Sequence, residues 1–143
     1  MLEGFEEGYA AVNGTRLHYI IGGEGEPLVL MDGYPRTLHG LHKILPALAQ
    51  RFRVIAVDYR GQGDSDKPKS GYDKKNMAKD IFELIGVLGY EKVNIAGCDM
   101  GAPGGLRLRR ELPAGHEKAC RVVGRHARFR GAQRAPQRHA QAW

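Results

Sequence analysis

Cysteine is scarce in this chain of 143 residues, which has only Cys98 and Cys120. Two isolated cysteines give neither a disulfide framework nor metal-ligand spacing, so a stapled secreted scaffold and a zinc module are excluded and no metal is expected. Long apolar runs are also missing. No stretch approaches the roughly 20 residues that a membrane-spanning helix needs. The N-terminal residues Met1-Leu2-Glu3-Gly4-Phe5-Glu6-Glu7 are acidic and have no apolar centre, which is unlike a secretory signal. A cytosolic protein with no membrane partner is the expectation. Phosphate-cradling loops are absent as well: there is no Gly-x-x-x-x-Gly-Lys-Ser/Thr, and Gly61-Gln62-Gly63 has neither a third glycine nor a helix start after it. No nucleotide or other cofactor is expected.

Acidic residues all but vanish late in the chain. Residues 104–143 hold ten of the 22 Lys and Arg but two of the 16 Asp and Glu, a net of +8, whereas residues 1–103 carry a net of −2. Nine of the ten cations are Arg. A break this sharp divides the chain into a domain over 1–103 and a basic tail over 104–143, the tail irregular or partly helical. Such a tail could hold nucleic acid through phosphates alone, a salt-sensitive and unspecific contact. Only Phe129 and Trp143 offer stacking there, so no specific nucleic-acid partner is expected.

Within 1–103 the apolar pattern is regular. Tyr9–Val12 and Arg16–Ile21 flank Asn13-Gly14, which predicts a hairpin with a type I′ turn. Leu28–Met31, Val54–Val57 and Lys92–Ala96 read as strands buried on both faces. Leu38–Gln50 has a helical period that Pro46 breaks or bends. Asn76–Leu88 predicts an amphipathic helix with Met77, Ile81, Leu84, Ile85 and Leu88 on one face and Gly89 as its cap. A hairpin followed by alternating strands and helices predicts an α/β fold: a mixed sheet with a parallel body. The carboxyl ends of such strands build ligand sites. Three segments fall there: Asp32-Gly33-Tyr34-Pro35, Asp58 to Asp66, and Gly97-Cys98-Asp99-Met100-Gly101.

The last of these has the most specific chemistry. A strand, a tight glycine-flanked turn and a helix start make a nucleophile elbow, which raises one side chain above the sheet. Here the apex is Asp99. Taken with Asp32-Gly33-Tyr34-Pro35, with Asp58-Tyr59-Arg60-Gly61-Gln62-Gly63-Asp64-Ser65-Asp66-Lys67-Pro68 and with Gly71-Tyr72-Asp73, in that order and spacing, the elbow resembles the aspartate-nucleophile branch of the α/β-hydrolase superfamily, the epoxide hydrolases and haloalkane dehalogenases. The resemblance covers about residues 8–103 and implies the N-terminal half of an α/β-hydrolase fold acting on a small-molecule substrate. It implies Asp99 as the nucleophile that forms an ester, and the N–H groups of Tyr34 and Met100 as the oxyanion hole. The histidine base, its acidic partner and the substrate-shaping cap come later in the family's chains. Asp32 and Cys98 stand where the family has His. Asp32 reads as a polar strand end, and Asp58 as an anchor for the loop after it. His18, His39 and His42 read as surface or packing residues, and His116, His126 and His139 match no family position.

After Pro103 the resemblance stops. Arg109-Arg110-Glu111-Leu112-Pro113, with chosen codons and a one-base shift, reads Ala-Ala-Asn-Tyr-Pro. The same shift turns Lys118-Ala119-Cys120-Arg121-Val122-Val123 into Lys-Leu-Val-Val-Leu. These are a helix end with a Tyr-Pro turn and then a buried strand, as the family has. The expectation is therefore a frameshifted, truncated and catalytically incomplete hydrolase, with a non-catalytic fragment as the alternative.

Overall fold

The computed structural model describes residues 2–97 and 120–122. Among the described residues six strands form one sheet: β1 (Phe5–Val12), β2 (Thr15–Gly22), β3 (Glu26–Met31), β4 (Phe52–Val57), β5 (Val93–Gly97) and β6 (Cys120–Val122). Their spatial order is β1-β2-β4-β3-β5-β6. β1 and β2 are antiparallel and β2 runs antiparallel to β4, while β4, β3, β5 and β6 are mutually parallel. This is the mixed sheet with a parallel body that the sequence predicts. Of the basic tail, only β6 lies among the described residues, paired in register with Val93–Ile95 of β5.

The hairpin closes at Asn13-Gly14, both at positive φ (42° and 72°), with Val12 opposite Thr15. Two positive-φ residues match the right-handed twist of the strands they join. Both strands run farther than their apolar cores suggested, to Phe5 and to Gly22.

Alternation along the strands splits the core between the two faces of the sheet. Leu17, Val29, Met31, Ile55, Val57 and Ile95 pack against Met77, Ile81, Leu84 and Ile85, which belong to α2 (Lys74–Val87). On the opposite face, Phe5, Leu28, Leu30, Val54 and Ala56 meet Leu38, Leu41 and Leu45. Asp73 caps α2 by accepting from the N–H groups of Lys75 (3.1 Å) and Asn76 (3.0 Å). At the other end Tyr90 N–H reaches Ile85 O and Gly89 N–H reaches Gly86 O, both at 3.0 Å. With Gly89 at φ +80° this is a Schellman ending, which satisfies the last carbonyls.

The helix expected over Leu38–Gln50 is two pieces: a 3-10 turn at Leu38–Leu41 and a short α1 at Leu45–Ala49. Pro46 is the physical reason. It has no N–H to continue a helix begun upstream, but it is tolerated in a first turn, where that N–H would have no partner anyway.

Candidate active site

Strand register sets the site's frame. Met31 sits beside Val57 on one side and Gly97 on the other, so β3, β4 and β5 all end on one line. Asp32 and Asp58 follow directly and are therefore delivered to the same edge of the sheet, where β5 ends at Gly97. Asp99 and Met100, the expected nucleophile and one expected oxyanion donor, lie outside the described residues, as does Cys98.

Tyr34, the other expected donor, is described. It sits in the turn after β3, which closes through Arg36 N–H to Gly33 O (2.8 Å). Its side chain is two-thirds exposed, so the ring contributes little packing and the residue's place on this edge is set by its backbone. The Tyr34–Pro35 peptide is cis. Asp32 beside it is buried, and its charge is answered locally: Oδ1 accepts from Gly33 N–H at 2.8 Å and lies 3.1 Å from Arg36 Nη2. Through Oδ1 the carboxylate ties down its own turn, consistent with the strand-end reading.

Asp58 is the anchor that the sequence suggested, and it reaches farther than its own loop. Its Oδ1 accepts from Leu38 N–H at 2.7 Å, and its Oδ2 lies 2.9 Å from His18 Nδ1. Ser65 Oγ donates to Asp58 O (2.7 Å) and accepts from His18 N–H (2.8 Å). One carboxylate therefore joins the first hairpin, the 3-10 turn and the loop after β4. Gly63, at φ +46°, passes so close that a Cβ there would overlap Asp58 Oδ2.

Arg60 fixes the other side of the same loop. It forms a two-pronged pair with the fully buried Asp80 of α2, Nε to Oδ2 and Nη2 to Oδ1, both at 2.6 Å. Asn13 Nδ2 donates to Asp80 Oδ1 at 2.7 Å, so the hairpin tip joins the pair. Hydrogen bonding to Asp80, opposed in part by burial, raises the Arg60 guanidinium above its ordinary value. Burial alone pushes the Tyr59 phenol far above its usual range.

Two parts of this network escaped the sequence reading. His18, which reads in the sequence as a surface or packing residue, is buried and bonded to Asp58. Its sequence signal is Ile20, two residues on and therefore on the same strand face. The Asp80–Asn13 contact joins residues far apart in sequence and left no local trace.

A family model described as the alpha/beta hydrolase fold matches residues 26–113. The soluble epoxide hydrolase of Corynebacterium sp. (strain C12) is 50% identical over 92 residues, covering 64% of this chain and 32% of that protein. A fluoroacetate dehalogenase of Burkholderia sp. is 36% identical over 118 residues, covering 79% of this chain and 39% of its own length. Among solved structures, the epoxide hydrolase CorEH without ligand superposes with a TM-score of 0.76 at 40% identity, over 81% of this chain and 40% of that one. The chain thus spans about a third of the length of the curated relatives it matches.

Proposed function

The chain belongs to the alpha/beta hydrolase fold family, and on that premise we propose that it is an epoxide-hydrolase-like hydrolase that opens an epoxide or a carbon–halogen bond through an ester on Asp99. The observation that carries the reading is the common end of β3 and β5, with Met31 beside Gly97. This register suits a loop carrying Tyr34 that works alongside the elbow. The likeness to an epoxide hydrolase and to a dehalogenase supports the same reaction class.

In the first step a carboxylate oxygen of Asp99 attacks the electrophilic carbon. The C–O bond of the epoxide or the C–halogen bond breaks, and the electron pair leaves as alkoxide or halide. Water then attacks the ester carbonyl, and the developing oxyanion is met by the N–H groups of Tyr34 and Met100. One such donor is worth about 2.7–4 kcal/mol in other hydrolases. Asp58 and Arg60 act at a distance: they hold the loops on which the site depends, and neither is assigned a catalytic role.

The second step needs a base to activate the water. The arginine-rich composition of 104–143 supports our reading of that stretch as out of frame, which leaves the ester formed but not turned over. Fluoride release from fluoroacetate and intact mass after incubation with a panel of epoxides test both parts. One equivalent of fluoride released, or one epoxide retained as an adduct, per chain fits the proposal. Sustained turnover by the 143-residue chain overturns the incomplete-enzyme part, and neither fluoride nor adduct with any compound overturns the nucleophile part. The gene's codons for 104–143 test the frame directly.

A further inference from the structure

Glu7 on β1, His18 on β2 and Asp64 in the loop after β4 bring one ligand atom each within 4.8 Å of one another. They lie beside the catalytic edge, on the face of the sheet that the 3-10 turn covers. The His18 side chain is only 5% exposed. Its Nδ1 faces Asp58 Oδ2 at 2.9 Å, and the other oxygen of that carboxylate is already held by Leu38 N–H. An ionised carboxylate accepts only, so a proton on Nδ1 serves that contact and leaves Nε2 as the ring atom available to a ligand.

Nε2 is buried and makes no hydrogen bond. It nevertheless lies 3.0 Å from Glu7 Oε1, close in distance but misaligned for donation. A lone pair and a carboxylate facing each other at that separation repel unless a positive charge lies between them. We propose that Glu7, His18 Nε2 and Asp64 bind a divalent transition-metal ion of the zinc class.

The chemistry fits in three ways. Carboxylate–imidazole–metal is the arrangement that fixes a ligating histidine's tautomer and strengthens its basicity. Tetrahedral zinc with bonds near 2.0–2.1 Å sets neighbouring ligand atoms about 3.3 Å apart, close to the Glu7–His18 separation. Two hard oxygens with one imidazole suit Zn²⁺, Mn²⁺ or Fe²⁺ over Cu⁺. A cavity of about 340 Å³ adjoins the cluster, lined among others by Thr37, His39 and His42, with room for water to complete the shell. The nearby cations are directed elsewhere: Arg16 lies over the Tyr9 ring and pairs with Asp66, and Lys67 donates to Gly63 O and Ser65 O. The ion would clip the first hairpin to the loop after β4, a structural role. Sequence spacing could not suggest it, because each ligand comes from a different element.

The test is titration of the chelator-treated full chain with Zn²⁺ by calorimetry and with Co²⁺ by visible absorption. One equivalent is expected to bind. Glu7→Gln and Asp64→Asn should each weaken it at least tenfold, while His39→Gln leaves affinity unchanged. Zn²⁺ should also raise the Tm of the parent chain and not that of Glu7→Gln. Should Glu7→Gln fail to fold, the ¹H–¹⁵N imidazole signals of the parent chain decide, since Zn²⁺ must shift those of His18. No binding, binding unaltered in both carboxylate variants, or unmoved His18 signals would each overturn the proposal and leave a proton as the only occupant.

Discussion

Removing the Asp80 carboxylate should be among the most damaging single changes in the chain. Asp80 has no solvent exposure and accepts from Arg60 Nε, Arg60 Nη2 and Asn13 Nδ2 at 2.6–2.7 Å. Asp80→Ala deletes these bonds together. Among the described residues it leaves the buried guanidinium with hydrogen bonds to Asn13 O at 3.4 Å and Ser70 O at 3.5 Å, too long to substitute. Arg60 cannot escape by losing its proton, since arginine stays charged at any usable pH. Breaking a buried pair from one side costs about 3–5 kcal/mol, against a total of about 5–15 kcal/mol for an ordinary domain. Urea unfolding followed by far-UV circular dichroism measures the loss. The doubly substituted Arg60→Met, Asp80→Leu chain should regain more than half of it, because no charge is left buried alone. It also supplies a reading if Asp80→Ala does not fold. A loss below about 1 kcal/mol in Asp80→Ala, or a double variant no better than the single one, would refute the view that this pair straps α2 to the hairpin.

Gly63→Ala should cost about 1–3 kcal/mol, since it combines a left-handed backbone with a Cβ that overlaps the Asp58 carboxylate. Gly14→Ala, at φ +72° with open space around it, should cost less, and equal losses in urea unfolding would contradict the steric argument. Tyr59 gives an alkaline signature. Its folded-state value is raised from 10.0 by burial, so the unfolded chain loses that proton first. The contribution is intact below pH 10 and drains away above it, by about 1.4 kcal/mol per pH unit. Tyr59→Phe should flatten that slope in urea unfolding between pH 9 and 11, and an unchanged slope would contradict the assignment.

Local chemistry carried much of the architecture into the sequence. The Asn13-Gly14 hairpin, the three continuous apolar strands and the face of α2 all follow from periods of two and 3.6 together with turn residues. Gly89 marked the end of α2 because only a left-handed residue closes that motif. Pro46 marks a break in the Leu38–Gln50 period, and the structure has one, whereas the 3-10 form of the first piece and the bounds of both depend on packing that the sequence does not spell out. The side-chain network was the least visible part. Asp58, His18 and Leu38 meet from three elements, as do Arg60, Asp80 and Asn13, and neither periodicity nor spacing encodes such meetings. The elbow shows the opposite case: its motif was plain in the sequence, while Asp99 and Met100 fall outside the described residues.

Intact-mass analysis after incubation with an epoxide is the sharpest test of Asp99 as a nucleophile. One adduct per chain is expected, carrying the full mass of the epoxide, mapped by peptide fragmentation to Asp99 and absent from Asp99→Ala. An unmodified chain, or an adduct on Cys98 that persists in Asp99→Ala, would contradict it.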